Sequence, residues 1–162
     1  MRRTLLPFLL LFAPASVAGQ YAPNQDLSLK GLAQIDLVVA VNVPDLAADS
    51  AQVFGKQVEL ELRKAGFTPL GEEDRRIHPQ GRIRFGLTSA TRGRWTDDLN
   101  LRIQVEQTSV LARTGEAMLM VTWYAEETAP NVPALDVPAA TRALLSRGLD
   151  RFLKAWLMAN GR

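Results

Sequence analysis

Hydrophobic side chains recur at helical spacing over residues 138–160, near the end of the chain. Leu145, Leu149, Phe152 and Trp156 form one stripe, and charged residues occupy the opposite side. Further leucines widen the stripe, namely Leu144, Leu153 and Leu157. A helix that is apolar on one side packs that side against another layer, so this segment is predicted to cover a sheet.

A second amphipathic helix is predicted over residues 50–65. Its apolar positions Phe54, Val58 and Leu62 follow the same spacing, with polar residues around them. Gly66 is expected to end this helix, because glycine readily adopts the left-handed conformation common just after a helix C-terminus.

Strand-like alternation marks four stretches, at residues 35–41, 82–87, 99–105 and 117–124. In the first of them Val38 and Ala40 make the second face apolar as well, which predicts a strand covered on both sides. A shorter strand is predicted at 67–70, and Gly115 fits a hairpin turn. The proline-rich segment 129–137 is interpreted as a rigid connector.

This order of elements, β-α-β-β-β-β-α, predicts an α+β fold. We expect a two-layer sandwich in which a mostly antiparallel sheet carries both helices on one face. The predicted domain spans residues 31–162, and residues 19–30 are interpreted as a flexible lead-in.

Residues 1–18 have the build of a secretory signal peptide. Arg2 and Arg3 give a positive start, an apolar stretch follows at 5–12, and residues 16–18 (Ser-Val-Ala) suit a cleavage site. The apolar stretch is too short to span a membrane. We therefore predict an exported, soluble protein, periplasmic or extracellular, with no stable membrane insertion.

Charge and cysteine content limit the partners of such a protein. The chain carries 19 Lys+Arg against 17 Asp+Glu, and removal of Arg2 and Arg3 leaves 17 of each. A neutral exported protein is not expected to bind nucleic acid. Cysteine is absent, so no disulfide can form and stability must come from the hydrophobic core.

Residues typical of catalysis are sparse. The one histidine, His78, lies in a charged loop and is interpreted as solvated. Carboxylates form three small groups, Glu72-Glu73-Asp74, Asp97-Asp98 and Glu126-Glu127. Such groups could serve a hydrolase or bind a cation, but solvated charge clusters are the plainer interpretation. The sequence predicts no catalytic residue, no metal site and no cofactor.

Arginines are concentrated between residues 75 and 102. The candidate ligand-binding residues are Arg82, Arg84, Arg92, Arg94 and Arg102, with Trp95 as a possible stacking surface. If their strands pair as a hairpin, these arginines converge on one sheet face, where they could bind an anionic glycan or another polyanion. The competing interpretation is a solvated or salt-bridged sheet face.

Met118, Met120 and Tyr124 form a second candidate surface. Simple alternation places them on the strand face opposite Leu119, Val121 and Trp123. If the helices cover that opposite face, the three residues become an exposed stripe that could receive a partner. Burial in the sheet or in a dimer is an equally plain explanation.

The segment 58–67 (VELELRKAGF) looks like a pattern in small secreted bacterial domains of uncharacterised function. The element order also resembles the N-terminal domain of the Tol–Pal translocation protein and the lipoprotein activators of penicillin-binding proteins. This resemblance implies a non-catalytic role in an envelope assembly and transfers no functional residue. The lack of cysteine departs from the lipoproteins and argues against a lipid anchor.

Three functions follow, in order of preference. The first is an exported non-catalytic domain that binds another envelope protein or itself. The second is a binder of anionic glycan through the arginines, and the third is a hydrolase with a carboxylate pair. The three differ in salt response, because an arginine site weakens steeply with ionic strength.

Overall fold

A computed structural model describes residues 25–44, 46–70, 80–92 and 96–161, and for residues 91, 92, 96 and 97 it describes the backbone alone. The predicted signal peptide lies outside these ranges and stays a prediction. Within the expected lead-in, Gln25–Leu29 form a 3-10 helix whose Leu29 is fully buried. This part of the lead-in therefore belongs to the folded domain.

The elements follow the predicted order. The strands are β1 (Gln34–Asn42), β2 (Thr68–Leu70), β3 (Gly81–Arg92), β4 (Thr96–Val110) and β5 (Ala117–Pro133). The helices are α1 (Ser50–Ala65) and α2 (Val137–Ala159), the latter preceded by a 3-10 helix at Ala134–Asp136. The α+β class is confirmed.

The five strands form one mixed sheet in the order β2-β1-β3-β4-β5. β1 is parallel to both of its neighbours, whereas β4 is antiparallel to both of its own. β1 and β2 can be parallel because α1, which connects them, returns the chain to the end of the sheet where β1 began. β2 is so short that it pairs with β1 over Gln34–Asp36 alone.

An aromatic cluster joins the helix layer to the sheet. The Phe67 ring centroid lies 5.7 Å from that of Phe152 and 4.5 Å from that of Trp156, and Trp123 meets Phe152 edge-on at 5.4 Å. The buried Trp156 indole N–H donates to the Leu32 carbonyl at 2.7 Å, so this polar atom is satisfied inside the core.

The end of α2 is tied to the beginning of the domain. The Asn160 side-chain amide donates to the Leu29 carbonyl at 3.2 Å, and its carbonyl oxygen accepts from the Gly31 backbone N–H at 2.9 Å. These bonds link residues about 130 positions apart in sequence.

Two further details of the sequence interpretation need correction. β5 continues through Pro133 where a connector was expected, because an edge strand tolerates prolines whose missing N–H faces away from the ladder. The second face of β1 is not well covered either, since Ala40 is exposed and Val38 only partly buried. By contrast, Gly66 ends α1 at a φ of 102°, as predicted.

Candidate functional site

The face of the sheet opposite the helices carries a network of ion pairs. Arg82 Nε lies 2.8 Å from Asp36 Oδ2, and Arg82 Nη1 lies 3.8 Å from Glu106 Oε2. Arg84 Nε approaches the same Glu106 carboxylate at 3.6 Å, without hydrogen-bond geometry. Neighbouring strands β1, β3 and β4 thus alternate in charge across this open face.

A second group on this face consists of Arg102, Tyr124 and Glu126. Arg102 Nη2 and Nε donate to Glu126 Oε1 at 2.9 Å and 3.1 Å. The Arg102 guanidinium also lies over the Tyr124 ring, 5.8 Å from its centroid. The carboxylate and the aromatic ring together hold the guanidinium in place.

The same contacts shift the pKa values of the group. A hydrogen bond from the Tyr124 hydroxyl, more than any other contact, holds the pKa of Glu126 below its usual value, and Arg102 adds to the effect. Burial, followed by the hydrogen bond to Glu126, raises the pKa of Tyr124. At neutral pH the group therefore contains an ionised carboxylate, a cation and a neutral phenol.

The predicted arginine surface is only partly described. Arg82, Arg84 and Arg102 do share one sheet face, and three carboxylates (Asp36, Glu106 and Glu126) lie beside them. Of Arg92 the backbone alone is described, and Arg94 and Trp95 lie outside the described residues. The described part of this face is balanced in charge, which favours the salt-bridged interpretation.

A β-bulge changes the faces of the predicted methionine surface. Val105 faces Trp123 across the ladder, but its neighbour Glu106 faces Val121, so Thr122 is an extra residue in β5. Because one extra residue reverses the alternation, Val121 joins the open face and Met120 turns to the helix side. Met118 and Met120 therefore do not share a face with Tyr124.

Beyond the bulge, β4 and β5 continue as a two-stranded projection, which we call the β4–β5 arm (residues 106–121). Its two strands pair with each other through Val110 and Ala117. The arm exposes five large apolar side chains by 42–67%, namely Val110, Met118, Leu119, Met120 and Val121. The two methionines lie on the helix side and the other three on the open side, so the arm is apolar on both faces.

The neighbouring carboxylates Glu126 and Glu127 lie on opposite sides of the sheet. Glu126 binds Arg102 on the open face, whereas Glu127 Oε1 accepts from Arg151 of α2 at 3.1 Å, on the helix side. The Asp98 carboxylate accepts the Asn131 backbone N–H at 2.8 Å. His78 and the group at 72–74 lie outside the described ranges, within which no three potential metal ligands cluster.

A groove of about 330 Å³ lies between α1 and the outer edge of β1. Leu37 and Val39 of β1 and Ala51 and Gly55 of α1 contribute to its walls. A Cβ atom at Gly55 would lie 4.0 Å from Val39 Cβ, in ordinary contact. Sequence reasoning missed this groove, although two small residues one helical turn apart on α1 are a signal for it.

Within the described part of the chain, no helix is both long enough and apolar enough to cross a membrane. No protein-family profile matches the sequence. A search of curated proteins also gives no match.

Two solved structures of the PelC dodecamer from Paraburkholderia phytofirmans are among those to which this chain is similar. One, a variant with a leucine replaced by methionine, is 10% identical, covers 76% of this chain and 90% of its own, and has a TM-score of 0.44. The other is 11% identical over 75% and 88% of the two chains, again with a TM-score of 0.44.

A candidate lipoprotein from Caulobacter crescentus is 15% identical over 82% of this chain and 85% of its own, with a TM-score of 0.23. Sequence identities and TM-scores this low give no evidence about the function of this chain. They do not show the resemblance to the Tol–Pal protein, which stays a prediction.

Proposed function

We propose that this protein is an exported, non-catalytic binding domain of the bacterial cell envelope and that the β4–β5 arm is its contact with another protein molecule. The exposure of large apolar side chains on the arm carries this proposal. Apolar surface concentrated on a projecting hairpin is typical of a site that a partner covers.

Two other parts of the described surface offer less to a partner. The arginines of the open sheet face lie beside carboxylates, so binding a ligand there would first break ion pairs. Leu135 is 96% exposed, but it stands alone in the short 3-10 helix before α2. Single exposed apolar side chains are ordinary, whereas a contiguous group is not.

Export is supported by the signal-peptide pattern at residues 1–18. A mature domain released from this segment would act outside the cytoplasm, in the periplasm or beyond the cell. Its partner would then be another protein of the envelope.

Photo-crosslinking in intact cells tests this proposal. A photoreactive amino acid replaces Leu119 in the arm or, as the matched control, the more exposed Leu135. We expect a discrete crosslinked species from position 119 and none from position 135. Equal labelling from both positions, or no species from the arm, would contradict the proposal.

Ionic strength separates this function from the anionic-glycan alternative, which stays a prediction. An apolar contact through the arm changes little between low and high salt, whereas an arginine site weakens steeply. Capture of a sulfated glycan that is lost both in high salt and in Arg102→Ala would favour the alternative.

A further inference from the structure

We infer that the β4–β5 arm of one molecule adds as a strand to the open edge of β1 in a second copy of this chain, producing a head-to-tail assembly. The inference rests on the proposed function, since it names the occupant of the same arm. Two strand edges, on opposite sides of the same sheet, have no partner strand among the described residues.

The first open edge belongs to β1. The Ala33 carbonyl accepts from Thr68 N at 2.8 Å, toward β2, and the Gln34 carbonyl accepts from Gln80 N at 3.0 Å, on the side of β3. Alternation then directs the backbone N–H and C=O groups of Leu37, Val39 and Val41 toward the β2 side. Since β2 stops at the level of Asp36, no described strand pairs with these groups.

The second open edge belongs to the arm. Farther along β5, the outward carbonyls of Thr122 and Tyr124 accept from Ser28 Oγ at 3.0 Å and Gln25 Nε2 at 2.6 Å. These side chains cap that portion of the edge. In the residues of β5 that precede the bulge, the backbone groups of Ala117, Leu119 and Val121 point away from β4. No described element covers these groups.

The two edges match in length and direction. The open part of β1 has six residues, 37–42, and the arm strand has five, 117–121. β1 and β5 run in the same direction, because β3 is parallel to β1 and β4 is antiparallel to both β3 and β5. The paired strands would therefore form a parallel extension of the sheet.

The levels also keep the arm of one copy clear of β2 in the next. Val121 lies level with Glu106, Arg82 and Asp36 across the ladder. The arm therefore lies wholly on one side of this level, and the open part of β1 lies wholly on the other. A second copy shifted along the strands places its arm beside β1 beyond the end of β2.

The groove beside β1 gives this pairing its side-chain contacts. If the sheets of two copies join into one, the helices of both copies lie on the same side of it. Met118 and Met120 of one copy then face the groove beside α1 of the next copy. Val39 and the small residues Ala51 and Gly55 contribute apolar surface to that groove, and Gln52, Lys56 and Glu59 of α1 line it as well. Methionine is unbranched and adapts to such a site. The bulge at Thr122 turns the methionines to this side.

An interface between two different surfaces leaves a free edge at each end of the assembly. It therefore continues beyond a dimer, closing as a ring or extending as a filament according to the rotation between copies. We expect the protein, purified as the cell exports it, to show a concentration-dependent mass larger than a dimer in light scattering after size exclusion.

Two single variants test the two halves of the interface. Met120→Ser in the arm and Gly55→Gln in the groove are each expected to raise the dissociation constant of self-association about tenfold or more. The controls are Leu135→Ser and Leu60→Gln, which replace exposed residues outside the interface. Since none of the four positions is buried, each variant should fold.

Disulfide trapping tests the contact directly, because the native chain has no cysteine. Met120→Cys and Gly55→Cys proteins are mixed and oxidised, and a covalent heterodimer is expected. Leu135→Cys replaces Met120→Cys in the control and should give none.

Three results would overturn the inference: a monomer at all concentrations, an assembly that stops at the dimer, or association unaffected by Gly55→Gln. If the protein stays monomeric while Leu119 crosslinks to a different protein in cells, the proposed function stands and this inference falls. Absence of both self-association and crosslinking would remove both.

Discussion

Gly148 lies where α2 packs tightly against the sheet. A Cβ atom at this position would lie 2.6 Å from Leu101 Cδ2 and 2.8 Å from Ile103 Cδ1. Both side chains are fully buried and have little room to move. Gly148→Ala is therefore expected to lower the free energy of unfolding by about 1–3 kcal/mol, measured by urea denaturation.

Gly55→Ala is the matched control for this prediction. Gly55 is also helical, but its added Cβ would meet nothing closer than 4.0 Å. Alanine is the better helix former, so the free energy of unfolding should rise by about 0.5–1 kcal/mol. Equal effects of the two substitutions would show that helix propensity, and not close packing, determines both.

Tyr124 controls the ionisation of Glu126 through its hydroxyl hydrogen bond. Tyr124→Phe removes that bond, so the pKa of Glu126 should rise toward its ordinary value of 4.5. An NMR titration of the Glu126 carboxyl group measures this shift directly. An unchanged pKa would show that Arg102 alone determines it.

The same lowered pKa links Glu126 to stability. A carboxylate whose pKa is lower in the folded state stabilises it above the unfolded pKa, and this contribution is lost as the pH falls through the folded pKa. Tyr124→Phe should therefore weaken the acid dependence of unfolding at Glu126. The effect should be small, because the Glu126 side chain is 47% exposed.

The β4–β5 arm is expected to contribute little to folding. Replacing Met118, Leu119, Met120 and Val121 together by threonine should change the free energy of unfolding by less than about 0.5 kcal/mol per site, because all four are exposed. Urea denaturation at low protein concentration measures this. Trp123→Ala, only two residues beyond Val121 but fully buried, should cost about 3 kcal/mol or more.

The helices and strands were largely predictable from the sequence because their signals are local. The spacing of Phe54, Val58 and Leu62 gave α1, and Gly66 gave its end. The bulge at Thr122 was not predictable, since residues 117–124 alternate without a visible break and the extra residue is defined only by the partner strand.

The candidate site was predictable only in part, for a related reason. Alternation correctly placed Arg82, Arg84 and Arg102 on one sheet face. Their carboxylate partners Asp36 and Glu126 come from strands distant in sequence, and strand order decides that they meet. Sequence spacing therefore identified the arginines but could not show that their charge is balanced.

For the whole molecule, the export prediction has a direct test. Intact-mass analysis of the protein recovered from the envelope fraction should show a chain that begins at Gly19, after loss of residues 1–18. The control is the same gene with Arg2 and Arg3 replaced by glutamate, which should remain uncleaved in the cytoplasm. Recovery of a full-length chain from the envelope would contradict the prediction.

The contact between the two ends of the domain also determines when folding can finish. Leu29, Gly31 and Leu32 find their hydrogen-bond partners in Trp156 and Asn160, more than 120 residues later. A chain emerging from a ribosome or a translocation channel therefore cannot close its core until the last turn of α2 has passed through. Contacts of such large sequence separation slow folding. The domain should therefore remain unfolded while the chain is translocated, and an unfolded chain is what a secretion channel accepts.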